Sequence, residues 1–181
     1  MSISFRFINS GPTKSAGFSM VELLVSLIIF SIGLLGAVSL QITGMKNNQS
    51  AYLRSQASSL ASEMADRIRS NSTAALAGGY DDFTTTATSP ADPACTSTTT
   101  GCTGVQQATT DVREWSTNFK DVAGNTTNYV AIFPGGFGTI TRANTDQFAV
   151  IVSWSETDWK TDNGSIIRDV DNQTLELNFR L

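Results

Sequence analysis

The sequence predicts an α+β protein: one long N-terminal helix, half of it fit to lie in a membrane, packed on a C-terminal antiparallel β-sheet. Three observations predict it. Leu23 to Leu40 is an 18-residue run without a charge. Leu53, Ala57, Leu60, Ala61, Met64 and Ile68 then recur at steps of three and four, one stripe of an amphipathic helix. Beyond residue 120 short apolar or alternating runs take over, ending in Leu175, Leu177, Phe179 and Leu181 on one face with Glu176, Asn178 and Arg180 on the other.

The apolar run spans roughly 27 Å as a helix, close to the hydrocarbon thickness of a bilayer. Arg6 and Lys14 precede it with no acid among residues 1–17, so the positive-inside bias leaves the N-terminus in the cytoplasm and the body outside. Two readings of the run are ordinary. A cleaved secretory signal would use Ala37-Val38-Ser39 as a weak small-residue site, and a plain signal anchor would keep everything. Neither explains Glu22, an acid at the head of the run. A charge at the centre of a membrane helix costs about 2.5 to 3.5 kcal/mol, and the helix dipole reduces the cost near the first turn.

Helical pattern runs from Phe18 to about Ser70, roughly 80 Å of helix. Arg54, Glu63, Asp66, Arg67 and Arg69 flank the stripe. Gly33, Gly36 and Gly44 read as ordinary membrane-helix composition, since their spacing is not GxxxG. Residues 71–181 form the head. From Ala77 to Gly104 the chain is rich in Thr, Ser, Ala and Pro and reads as a long loop. Val105 to Phe119 carries Ala108, Val112, Trp115 and Phe119 at helical steps. Strands are expected over Tyr129–Phe133, Phe148–Trp154 and Thr174–Leu181, with a weaker one over Ser165–Val170 across an Asp162-Asn163-Gly164 turn. Pro134-Gly135-Gly136 is expected as a turn at a strand end.

Composition closes off much chemistry. The chain has no His, which removes Ser-His-Asp, Cys-His and imidazole metal sites together. Twelve Lys and Arg against 16 Asp and Glu, with no basic run, argue against a nucleic-acid groove. Cys95 and Cys102 are too few for a zinc cage, and their spacing suits one structural disulfide in an oxidising compartment rather than a redox pair. Such a bridge adds about 2 to 3 kcal/mol in the chain-entropy model. Asp158, Asp162, Asn163, Asp169 and Asp171 do not match a calcium-loop spacing and read as solvated acids. Asp81 and Asp82 lie in a loop with no pocket in evidence. Asn71-Ser72-Thr73 and Asn125-Thr126-Thr127 read as loop residues, and Trp115 and Trp154 as packing residues, with Trp159 a candidate for a sticky surface. No enzyme activity, cofactor or metal is expected.

Gly17-Phe18-Ser19-Met20-Val21-Glu22, running into Leu23-Leu24-Val25-Ser26-Leu27-Ile28-Ile29-Phe30, resembles the class III signal of type IV prepilins: Gly, an aromatic, three mostly apolar residues, Glu, then an apolar helix. The resemblance implies cleavage by prepilin peptidase between Gly17 and Phe18, N-methylation of Phe18, and retention of the helix. It also implies that Glu22 faces the terminal amine of a neighbouring subunit and sets register, an attraction that is far stronger in a dry bundle than in water. Ser31 to Gly36, Asp92-Pro93-Ala94-Cys95 with Cys102, Pro134-Gly135-Gly136 and Val150-Ile151-Val152-Ser153-Trp154 further resemble, in their order, minor pilins of the PilV type. Two departures are a 17-residue leader, longer than many, and Ser19-Met20-Val21 in place of the commoner Thr-Leu-Ile.

The organisation implied is a leader over 1–17, a transmembrane and filament-core helix over 18–42, its amphipathic continuation over 43–70, and a periplasmic head over 71–181. The function implied is that of a minor pilin which helps prime pilus assembly and sits at the tip, bearing on adhesion and twitching motility. Its partners would be prepilin peptidase, other minor pilins, the major pilin, the inner-membrane assembly platform and a tip adhesin. It would sit in the inner membrane before assembly and at the pilus tip afterwards, with no nucleic-acid partner. Two alternatives stand beside it: a minor pseudopilin of type II secretion, which shares the N-terminal signal, and a tip-exposed binding module using the Thr-rich loop.

Overall fold

A computed structural model describes residues 17–124 and 129–181, with only the backbone of Trp159. Arg6, Lys14, the leader up to residue 16, the Asn125-Thr126-Thr127 segment and the Trp159 side chain lie outside the described residues. The chain divides into two compact units, one ending at Lys46 and the other running from Asn47 to Leu181.

Helix α1 covers Met20–Ser70 and so contributes to both units. In the first unit every described residue is exposed, and its apolar side chains point outward all round the helix. That is the composition of a helix whose surroundings are themselves apolar. Its hydroxyls turn inward on their own backbone: Ser26 donates to the Glu22 carbonyl (2.7 Å), Ser31 to Leu27 (2.7 Å) and Thr43 to Ser39 (3.1 Å). This i to i−4 bonding removes the cost of an unpaired hydroxyl in a medium without water.

In the second unit, α1 buries the expected stripe with Ala65 added to it. Ala57, Ala61 and Ala65 repeat every fourth residue, and their small side chains let neighbouring elements come close to the helix backbone. Trp115 uses that closeness to donate its indole N–H to the Leu60 carbonyl at 3.2 Å. Helix α2 (Ser72–Leu76) follows at once, then β1 (Phe83–Thr84). Helix α3 spans Gly104–Ser116 and is started by a capping box, Thr103 accepting from the Gln106 N–H while the Gln106 side chain accepts from the Thr103 N–H.

Strands β2 (Phe137–Asn144), β3 (Gln147–Asp162) and β4 (Ser165–Arg180) complete one antiparallel sheet of order β1-β2-β3-β4. Cross-strand rows Ile140–Val150–Leu177 and Gly138–Val152–Leu175, with Phe148 beside Phe179, put the apolar residues of three strands on one face. The core lies between that face, α1 and α3. A chain of rings runs through it: Trp115 meets Phe119 edge-on at 5.1 Å, Phe119 stacks on Phe133 at 5.8 Å, and Phe133 lies 5.9 Å from Trp154. The long helix on an antiparallel sheet is the fold class that the sequence predicts.

Several details differ from the sequence reading. Tyr129–Phe133 is not a strand; it is irregular backbone that buries Phe133 fully and leaves Val130 and Ile132 exposed. The strand in that region is β2, which begins at Phe137, directly after the Pro134-Gly135-Gly136 turn expected at a strand end. Ser165–Val170 and Thr174–Leu181 are parts of one strand, β4, and Phe148–Trp154 is the base of the equally long β3. The Asn163-Gly164 turn joins them, with φ of 47° and 80°, a conformation that suits Asn-Gly and joins Asp162 to Ser165 in register. Helix α3 ends at Ser116 rather than Phe119, and the segment read as a plain loop contains β1 and a 3-10 turn over Cys95–Ser97.

Candidate functional site

Gly17, Phe18 and Ser19 precede the helix in non-regular backbone, and the Ser19 carbonyl accepts the first helical bond, from Leu23 N–H at 3.2 Å. The Gly17–Phe18 peptide therefore sits just outside α1, where its carbonyl is not committed to the helical ladder. A Cβ at Gly17 would meet nothing within 4 Å, and Phe18 is 77% exposed. Glu22 stands in the first turn of α1, where four backbone N–H groups lack helical partners and the dipole favours an anion. It is the one charged side chain between Gly17 and Met45. The arrangement is an accessible backbone bond, an exposed aromatic beside it, and a carboxylate one helical turn away at the edge of an exposed apolar rod.

The two cysteines belong to the other unit and have no part in that arrangement. The structure joins Cys95 to Cys102, with Cα atoms 4.9 Å apart. Cys95 is buried, while residues 96–101 are exposed. The surrounding loop is tied down along its length, because Arg113 donates to the Pro90 carbonyl (2.7 Å) and Lys120 donates to the Ala87 carbonyl. Beside it an open cleft is lined by Asp92, Thr96, Arg113, Glu114 and Thr117. Its charged groups are already engaged, Arg113 with Pro90 and Asp92 with the Ala94 N–H (2.8 Å), which makes it a seam of the fold.

Sequence reasoning missed a polar network that joins α1, α3 and the loop between them. Asp111, 3% exposed, accepts from the Tyr80 hydroxyl at 2.5 Å, from Gln107 at 2.9 Å and from Arg67 at 3.3 Å. Arg67 also reaches Glu114 (2.7 Å) and Glu63 (2.8 Å). Asn71 donates to the Tyr80 oxygen (3.1 Å) and to the Gly104 carbonyl (2.7 Å). Burial opposes the charge on Arg67, but the bonds to Glu114 and Glu63 outweigh it and hold the guanidinium's pKa above its usual value. Burial, then the bond to Asp111, pushes the Tyr80 phenol well above the ordinary tyrosine range. The signal for the network was present in α3: Asp111 falls inside the apolar stripe of Ala108, Val112 and Trp115, a place where an acid needs a partner. Glu114 also lines the open cleft, and the bonds among these groups tie α1, α3 and the loop between them together.

The acids that might have gathered a cation are also engaged in part. Lys160 pairs with Asp169 and, at 3.3 Å, with Asp171, and these bonds, to Asp169 first, raise the ammonium's pKa. Among the described residues no three His, Cys, Asp or Glu side chains come together as a metal-binding group.

Comparison with known families agrees with the N-terminal geometry. The prokaryotic N-terminal methylation motif matches residues 12–38. The Tt1218-like family, described as type IV pilin Tt1218, matches residues 39–113. No curated protein and no solved structure matches the chain. The two family matches adjoin and together run over more than half of the 181 residues. The first falls on the apolar half of α1 and its approach, the second on the rest of α1 and into α3. With the methylation motif, the pilin match and the long helix on an antiparallel sheet all in place, the chain has the fold of a type IV pilin and is similar to that family over residues 12–113.

Proposed function

We propose that this chain is a type IV pilin, a minor subunit of the PilV type that helps prime pilus assembly and takes a place at the filament tip. The observation that carries the reading is the first half of α1: uncovered on every side, apolar but for Gln41 and a few hydroxyls, with Glu22 as its one charge, and preceded directly by Gly17-Phe18. Such a surface is stable in a bilayer or in a bundle of like helices and nowhere in water. Prepilin peptidase cuts between Gly17 and Phe18, the new amine of Phe18 is methylated, and residues 1–17 are lost as leader. Residues 18–42 then pass from membrane to filament core, residues 43–70 continue as the amphipathic half, and residues 71–181 form a periplasmic head.

Within the filament Glu22 pairs with the Phe18 amine of a neighbouring subunit. Removing either partner leaves the other as an uncompensated charge, which costs about 3 to 5 kcal/mol where burial is complete. The assembly platform of the inner membrane, other minor pilins and the major pilin are the partners in this step, with a tip adhesin beyond. The Cys95–Cys102 bridge is structural. No catalytic role is assigned to the chain.

The test is the mass of the mature protein recovered from cells, with deletion of the gene scored for surface piliation and for protein secretion. The reading expects an N-terminus at methylated Phe18 and a loss of pili with secretion intact. A start beyond Ser39 rules out a filament subunit, and a secretion defect with normal pili reassigns the chain to a type II secretion pseudopilus.

A further inference from the structure

An asparagine followed by glycine is the pairing in which the asparagine side chain is most readily attacked by the next backbone nitrogen, because glycine puts no Cβ beside that nitrogen. The sequence holds it once, at Asn163-Gly164. The other described asparagines are placed differently. Asn47 and Asn48 lie inside α1, whose ladder commits the N–H that follows each of them. Asn71, Asn118, Asn144 and Asn178 donate from their side-chain amides to Gly104, Trp115, Gln147 and Glu176, and Asn172 accepts from Ser155. Each of these precedes a residue that has a side chain.

Asn163 and Gly164 form the two-residue turn between β3 and β4, with φ of 47° and 80°. Both are exposed, and nothing lies within 4 Å of the place a Cβ would take on Gly164, so water reaches the pair freely. The turn is held only by the strands it joins. Strand β2 pairs with β3 no further than Ser153, and residues 160–168 are all exposed. A two-stranded ribbon of this kind is at best marginally stable in water, so its tip opens at little cost. While closed, the turn holds Asn163 in the left-handed region, where its side-chain carbon and the next nitrogen do not line up for ring closure. A fluctuation that releases the Asp162–Ser165 pair removes that constraint.

We propose that Asn163 is a site of spontaneous deamidation, reached when the tip of the β3–β4 ribbon opens. The Gly164 nitrogen attacks the Asn163 side-chain carbonyl carbon. The new N–C bond forms as the bond to the side-chain nitrogen breaks, and that nitrogen leaves as ammonia while the Gly164 amide gives up its proton. Water then opens the cyclic imide at either carbonyl, leaving aspartate, or isoaspartate with the main chain routed through the former side-chain carbon. One water is consumed and one ammonia released, with no oxidant and no cofactor.

Either product alters the tip. Isoaspartate lengthens the backbone of a turn that has room for two residues, so the Asp162–Ser165 pair cannot re-form in register. Aspartate adds a carboxylate directly beside Asp162, in a ribbon that already carries Asp158, Asp169 and Asp171. The change runs in one direction, so its extent records how long the head has stood in water. It does not depend on a place in a filament.

Lys160 and Arg168 make the test direct, since trypsin releases residues 161–168 as one peptide. The detergent-solubilised full chain is incubated at physiological pH and temperature beside a synthetic peptide of residues 158–169, which has no sheet to hold it. Residue 163 is followed by mass spectrometry and by methylation with an isoaspartyl methyltransferase. We expect aspartate and isoaspartate at residue 163 of the full chain, forming more slowly than in the free peptide, and neither in Asn163→Gln. Thr161→Cys with Ile166→Cys, oxidised to a bridge across the paired strands, is expected to slow conversion further by holding the tip closed. Intact Asn163 in the full chain after the peptide has converted overturns the proposal, as does conversion of the bridged variant at the wild-type rate.

Discussion

Trp115 lies so close to the backbone of Gly138 that a Cβ at Gly138 would overlap three atoms of the indole ring. The glycine is needed for approach rather than for conformational freedom, because the ring sits between α1, where it bonds to the Leu60 carbonyl, and the sheet. Gly138 also ties β2 to the loop before it: its carbonyl accepts from the Thr85 N–H and its N–H donates to the Thr85 hydroxyl, both at 2.9 Å.

Replacing Gly138 with Ala forces the indole out of this seat, and overpacking of this kind costs about 1 to 3 kcal/mol. Urea unfolding of the detergent-solubilised full chain, followed by tryptophan fluorescence, is expected to show a lower midpoint with little change in slope. A wild-type midpoint would show that the ring does not pack there.

Tyr80 gives the head an alkaline limit. Burial and the bond to Asp111 raise its pKa in the folded state above the unfolded value of about 10. Stability from this group is therefore complete below pH ~10 and falls as pH climbs through the folded value. Tyr80→Phe is expected to be less stable at neutral pH by about 1 to 3 kcal/mol, since Asp111 and Asn71 each lose a partner. Its stability is also expected to decline less steeply than wild type above pH ~10, as read by circular dichroism against pH. Parallel alkaline curves for the two proteins would contradict the assignment.

Arg67→Met keeps the aliphatic stem and deletes the charge shared by Glu63, Asp111 and Glu114. Asp111 is the buried member, so the loss falls mainly on it, about 1 to 3 kcal/mol. The double variant Arg67→Met with Asp111→Leu is expected to recover part of this, because an apolar pair leaves no buried charge unpaired. A double-mutant cycle on thermal unfolding measures the coupling, which is zero if the two groups do not interact.

Reduction of the disulfide, or Cys95→Ser with Cys102→Ser, opens a ring whose closure contributes ~2.5 kcal/mol in the chain-entropy model. Arg113 and Lys120 still hold the loop at Pro90 and Ala87. The expected effect is new protease cleavage within residues 95–102 together with a clear drop in unfolding midpoint, the rest of the head staying folded. Global unfolding on reduction would mean that the bridge supports the whole head.

Much of this was legible in the chain because it is locally encoded. The apolar run, the stripe from Leu53 to Ile68, the Asn163-Gly164 turn and the alternation of Leu175 to Leu181 each depend on neighbours in sequence. Gly17 to Glu22 was legible for the same reason, being a motif of consecutive residues. Strand β2 was not, since its inward side is Gly138 and Ile140, and a glycine chosen to admit Trp115 carries no strand signal. Asp111 was passed over because two of its three partners, Tyr80 and Arg67, lie 31 and 44 residues away.

The hydroxyls of Ser26, Ser31 and Thr43 are spent within their own helix. A subunit leaving lipid for a fibre, or slipping a turn past its neighbour under tension, therefore has no bonds from these groups to break and remake. On the proposed reading as a filament subunit, Glu22, the one charged side chain from Gly17 to Met45, is what is left to distinguish one seat from the next.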